Sequence, residues 1–141
     1  MSQFENSEVV RHVLQKLFVI SSRKTTQGNA VSLMHDSVKN LEKKYNFLKN
    51  VEIKDTRYIE MNEPISVMSN INSVKSNDIG KALSDLIKII NFKLGEEAGH
   101  FFIKELKNSI EDIYSPNIEE MGLDFGLMQL EFEVNKMVKE L

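Results

Sequence analysis

A chain of 141 residues, 41% hydrophobic and 28% charged, can enclose one core or two small subdomains, and it is too apolar to stay disordered. It contains no cysteine, which excludes disulfides, thiolate metal sites and a cysteine nucleophile together. The net charge of −3 is unevenly spread: residues 1–50 carry eight Lys/Arg against four Asp/Glu, and residues 51–141 carry ten against seventeen.

The start, MSQFENSEVV, has no basic stretch followed by an apolar run, so no secretory signal is expected. The longest uninterrupted apolar run is Leu17 to Ile20, far short of a membrane span. A soluble cytoplasmic protein with no membrane contact is the expectation.

Ser2 and Glu5 fit a capping box. Behind them Val9, Val10, Val13, Leu14, Leu17 and Phe18 make a wide apolar helical face that should end near Ile20 to Ser22. SSRKTTQGN reads as a loop, because Gly28 and the paired threonines disfavour helix. Over Asn29 to Val51, Val31, Met34, Val38, Leu41, Tyr45 and Leu48 step by 3, 4, 3, 4 and 3. That is an a/d heptad seam on a helix about 26 Å long between its end members. It predicts a helical pair with the first helix.

Beyond Asn50, Val51-Glu52-Ile53 alternates, Lys54-Asp55-Thr56 is polar, and Arg57 to Met61 alternates again, which predicts a small β-hairpin over about residues 51–61. Pro64 stops the second strand, and Ile65 and Val67 can form a further short one. MSNINSVKSN, at 68–77, reads as a hinge or linker between residues 1–67 and a C-terminal helical bundle at 78–141.

In that bundle Asp78 is the expected N-cap of a helix with Ile79, Ala82, Leu83, Leu86, Ile87, Ile90 and Leu94 buried, widened by Ile89 and Phe92. Gly95 sits where a C′ glycine belongs. Glu96 and Glu97 open another helix with Phe102 or Ile103, Leu106, Ile110 and Ile113 as its seam. Pro116 starts a short helix that Gly122 ends. Asp124 caps a last one, whose Leu127, Leu130, Val134, Met137 and Leu141 repeat the 3, 4, 3, 4 spacing. The fold class is therefore mainly α: five or six helices with one small β-hairpin between an N-terminal helical pair and a C-terminal bundle.

The chemistry-bearing residues are sparse. His35-Asp36 resembles, in those two residues, the phosphate-accepting histidine of sensor histidine kinase dimerisation domains, and His35 is a phosphoacceptor candidate on that basis alone. The Arg/Asn-Pro pattern of that family does not follow it, and a surface His beside an Asp is the blander reading. Glu97-Ala98-Gly99-His100 is a single Glu-x-x-His where di-iron bundles use two, and Glu8 and His12 share a face without further ligands, so no metal or cofactor is expected. No serine lies in a Gly-x-Ser-x-Gly setting and the six glycines are scattered, so a non-enzyme is the reading. The methionines, Met34, Met61, Met68, Met121, Met128 and Met137 among them, suit core filling or an adaptable surface.

Arg23, Lys24, Lys39, Lys43, Lys44, Lys49, Lys54 and Arg57 form a basic set over the loop, the heptad helix and the hairpin. Helix, helix and hairpin is loosely the order of a winged helix, which would make these residues a nucleic-acid face. The wet side of an amphipathic helix explains them more simply and is the favoured reading. Two heptad edges exceed what one small core needs, so at least one seam is expected to serve a partner, first of all a second copy. The functional expectation is a non-enzymatic regulatory or interaction domain, a prokaryotic signalling or output module acting as a homodimer. A winged-helix-like nucleic-acid regulator is one alternative. The other is a small-molecule sensor with Phe92, Phe101 and Phe102 lining a pocket.

Overall fold

The hydrophobic face of the first helix organises the molecule. α1 (Asn6–Lys24) buries Val9, Val10, Val13, Leu14, Leu17, Phe18 and Ile20, and it touches four of the other helices and one strand of the hairpin. In the computed structural model, residues 4–55 and 63–140 are described, Glu140 by its backbone only. Among them are α2 (Gln27–Leu41), β1 (Val51–Ile53), β2 (Ile65–Val67), α3 (Ser76–Leu94), α4 (Phe102–Ser109), α5 (Ser115–Glu120) and α6 (Phe125–Glu140). The protein is thus a mainly helical bundle with one antiparallel hairpin.

Local chemistry explains several boundaries. α1 continues two residues past Ser22, and its last turn carries Arg23 and Lys24 at the negative end of the helix dipole. Lys24 Nζ donates to Glu105 Oε1 on α4 at 2.9 Å, so the basic end is tied down as well. Only Thr25 and Thr26 separate α1 from α2, since Thr26 is a true N-cap whose hydroxyl accepts from Asn29 N at 3.1 Å. Gly28 therefore lies inside the first turn of α2 and not in a loop. Glu5, without a side-chain cap bond, is the N-cap of α1, and Ser2 of the expected capping box lies outside the described residues.

The heptad helix is shorter than its spacing implies. α2 ends at Leu41, a turn follows, and Leu48 returns to the core on a 3₁₀ turn at Asn46–Asn50. Tyr45 marks the break: its hydroxyl donates to Asp85 Oδ2 of α3 at 2.7 Å, which draws the chain across α3. The hairpin pairs Val51 with Val67, Glu52 with Ser66 and Ile53 with Ile65. Its partner strand is thus the short one beyond Pro64, whose carbonyl accepts from Lys54 N at 2.7 Å. The expected strand at 57–61 lies outside the described residues.

The stretch at 68–77, expected as a hinge, is packed. Ile71 is fully buried, and Asn72 Oδ1 accepts from Ser7 N at 2.7 Å, tying this segment to the start of α1. One hydrophobic cluster runs across it from Val9 to Met128. α3 begins at Ser76 with Lys75 as N-cap, so Asp78 sits in its first turn. Gly95 ends α3 with φ +58°, as its position predicts.

The helix expected from Glu96 is broken. A 3₁₀ turn at Gly95–Ala98 stops at Gly99, where φ is +82°, and α4 starts only at Phe102. A second 3₁₀ turn, Asp112–Tyr114, leads into α5, leaving Ile113 exposed and outside the seam assigned to it. Pro116 lies in the first turn of α5 and Gly122 follows it at φ +70°. No helix among the described residues is long and apolar enough to cross a membrane.

Candidate interaction surface

α6 carries two apolar faces. Asp124 starts it, Oδ1 accepting from Leu127 N at 3.0 Å. Phe125, Met128 and Phe132, at steps of 3 and 4, face inward, the first two buried and the third half-buried. Anchors flank them on both sides. Toward α3, Ser84 Oγ lies 3.5 Å from Met128 Sδ and Lys88 Nζ 3.1 Å from Glu131 Oε2. Toward α4, Gln129 Nε2 donates to His100 O at 3.0 Å, and His100 Nε2 stands 3.5 Å from Glu133 Oε1.

The opposite face is the second heptad seam, and the chain's own helices leave it open. Leu127 is 51% exposed, Leu130 56%, Val134 48%, Met137 66%, and Val138 beside them 63%. Asn135, Lys136 and Lys139 are exposed as well, so from Val134 to Lys139 no side of α6 is enclosed. Leu141, the last seam member, lies outside the described residues. Isolated exposed apolar residues are ordinary, but five along one helix face form a patch. Val138, absent from the strict heptad list, was detectable as the i+4 neighbour of Val134.

The first seam behaves oppositely. Val31, Met34, Val38, Leu41 and Leu48 are all buried, and Tyr45 is half-buried, covered by α1, α3 and the hairpin. These six residues form an internal seam, which corrects the expectation that they could face a partner. Comparison with protein-family models, curated proteins and solved structures finds no match.

The basic set is dispersed. Only Lys39 lies on α2; Lys43, Lys44 and Lys49 follow it, so the expected recognition helix running into a wing does not form. Four members sit in ion pairs: Lys24 with Glu105, Lys39 with Glu42 at 3.3 Å, Lys44 with Asp85 at 3.4 Å, and Lys54 with Glu52 at 3.8 Å. The Asp85 carboxylate raises the Lys44 pKa and, by accepting from the phenol, that of Tyr45. Arg23 stands at the far end of α1, and Arg57 lies outside the described residues.

The three histidines are equally separate. His35 is exposed on α2, with Nδ1 3.4 Å from Asp36 Oδ1. His100 does not share a helix with Glu97, because Gly99 intervenes; it stacks edge-on with Phe101 and contacts Phe132 of α6. His12 is half-buried against Tyr114, ring centroids 4.4 Å apart, and its Nε2 accepts from Glu111 N at 3.2 Å. Burial lowers the His12 pKa, the Glu111 carboxylate opposing it. Among the described residues no group of three or more His, Cys, Asp or Glu is placed to hold a metal.

The expected phenylalanine pocket does not form. Phe102 is in the core, whereas Phe101 is exposed and Phe92 is 76% exposed with Lys139 Nζ 5.6 Å from its ring centre. An open groove of about 680 Å³ lies instead between α4, α5 and the start of α6, lined by Lys107, Asp112, Ile118, Glu119 and Leu123 among others. Met34, Met121 and Met128 fill the core, while Met68 and Met137 are exposed; Met61 lies outside the described residues.

Proposed function

We propose that the protein is a non-enzymatic interaction module of the regulatory kind, docking through the outer face of α6. The observation carrying this reading is the continuous exposed ridge Leu127, Leu130, Val134, Met137 and Val138 on a helix that already has a separate face for its own core. A ridge at a/d spacing fits a helix laid lengthwise along it, with each side chain entering the gap between neighbours on the partner. Nothing comparable supports the alternatives: the basic residues are scattered and four of the seven described ones are paired, and the three phenylalanines do not converge.

The test is photo-crosslinking in the cells that make the protein, with a benzophenone side chain at position 134 and a control probe at exposed Ser32 of α2. A discrete adduct from 134, absent from 32 and lost on Leu130→Glu, supports the reading. No adduct from 134 refutes it.

A further inference from the structure

Resting on that reading, we infer that the occupant of the α6 ridge is α6 of a second copy, lying parallel and in register. Three observations carry the inference. First, the seam is self-complementary in residue type: Leu127, Val134 and Leu141 fall at a, Leu130 and Met137 at d. Every a and d position is thus an unbranched or branched aliphatic side chain, so each layer can pack against its own copy.

Second, the flanking charges select the direction. Glu131 and Val138 occupy e positions; Gly126, Glu133 and Glu140 occupy g. In a parallel pair each g residue faces the partner's next e residue, so glycine meets glutamate and Glu133 meets valine, with no like charges opposed. An antiparallel pair centred on the ridge places Glu131 beside its own counterpart and Glu133 beside its own, two repulsive contacts. Beside their anchors at Lys88 and His100, Glu131 and Glu133 keep 47% and 35% of their side-chain surface exposed, so they still border the crest of the ridge.

Third, the area is that of a modest dimer. The exposed parts of the five ridge residues come to about 500 Å² per protomer, or about 1,000 Å² for a pair, at the threshold of a specific interface. A weak, reversible association is expected, since a patch this small leaves little surplus over the cost of ordering.

The absence of cysteine makes the test clean. Sedimentation equilibrium of the full chain from 2 to 400 µM should show a reversible monomer–dimer equilibrium, weakened at least tenfold by Val134→Glu. Oxidised Leu127→Cys protein should form a disulfide dimer in high yield, because residue 127 faces itself across a parallel a layer. In an antiparallel pair the two 127 positions are about 15 Å apart along the axis, ten residues of rise, and cannot bridge. Met137→Cys serves as the second reporter, facing itself at d, and circular dichroism of each variant confirms the fold. A monomer throughout the range overturns the second-copy assignment. A dimer in which 127 crosslinks only to 137 overturns the parallel register. A position-134 adduct with a different protein, together with a monomer in solution, preserves the interaction reading while rejecting this inference.

Discussion

Gly80→Ala sets two effects of opposite sign against each other. Gly80 is in the second turn of α3, and replacing a helical glycine by alanine ordinarily stabilises by about 1 kcal/mol. Here a Cβ would stand 1.8 Å from the carbonyl oxygen of Met121 and 2.7 Å from its carbonyl carbon. Normal carbon–oxygen contacts start near 3.3 Å, so the backbone after α5 must retreat by about 1.5 Å. The obstacle is main chain and not a flexible tip, which puts the strain at the upper end of overpacking, about 3 kcal/mol. The net expectation is a loss of about 2 kcal/mol, or about 5–10 °C in Tm for a chain of this size. Gly126→Ala is the control: its Cβ meets only Asp124 Oδ1 at an ordinary 3.4 Å, so it should be neutral or stabilising by up to about 1 kcal/mol. Urea denaturation of both variants measures the pair of effects. If Gly80→Ala stabilises, the close approach of α3 to the α5–α6 junction is wrong, and so is the placement of α6 that depends on it.

Two further outcomes are expected. Phe102→Ala should cost about 3–5 kcal/mol, because it empties a core site, while Phe92→Ala should cost under about 1 kcal/mol, losing an exposed ring and its contact with Lys139; parallel denaturant titrations check the contrast. His12, with its folded pKa below the ordinary 6.5, gives stability that is full above 6.5 and declines as pH falls through that value, since the unfolded chain takes the proton first. The difference in Tm between wild type and His12→Gln should therefore change between pH 8 and pH 5, in the direction that disfavours wild type in acid, and a constant difference would contradict the burial of that ring.

What could be read from the sequence was whatever local chemistry decides. The apolar stripes of α1 and α3 show in the local spacing of their residues, the Gly95 and Gly122 stops, Pro116 and the Asp124 cap rest on contacts within a few residues, and all stand where their chemistry puts them. Long-range contacts decided the rest. A 3, 4, 3 repeat from Val31 to Leu48 is satisfied equally by one long helix or by a helix, a turn and a 3₁₀ segment, and the Tyr45–Asp85 bond chooses the second. The hairpin partner is set by pairing beyond Pro64, which alternation over 51–61 does not encode. Phe92 is a different case. At 100° per residue it lies about 180° around α3 from the middle of the buried stripe, so its exposure was legible to anyone who weighed its angle above its hydrophobicity.

The residues on the back of each helix separate the two heptad seams, which spacing alone cannot. α2 pairs its apolar seam with a polar back made of Ser32, His35, Asp36, Lys39 and Asn40, so one neighbour on one side satisfies it, and α1, α3 and the hairpin are that neighbour. α6 has Phe125, Met128 and Phe132 on one side and Leu127, Leu130, Val134, Met137 and Val138 on the other. Closing the core between α3 and α4 requires only the first set. The second set stays about half exposed or more in the folded chain, so it adds less to folding than a core face would, and it raises the tendency to stick. A helix apolar on two sides has one face more than the fold encloses, and that surplus face is the ground of the docking proposal.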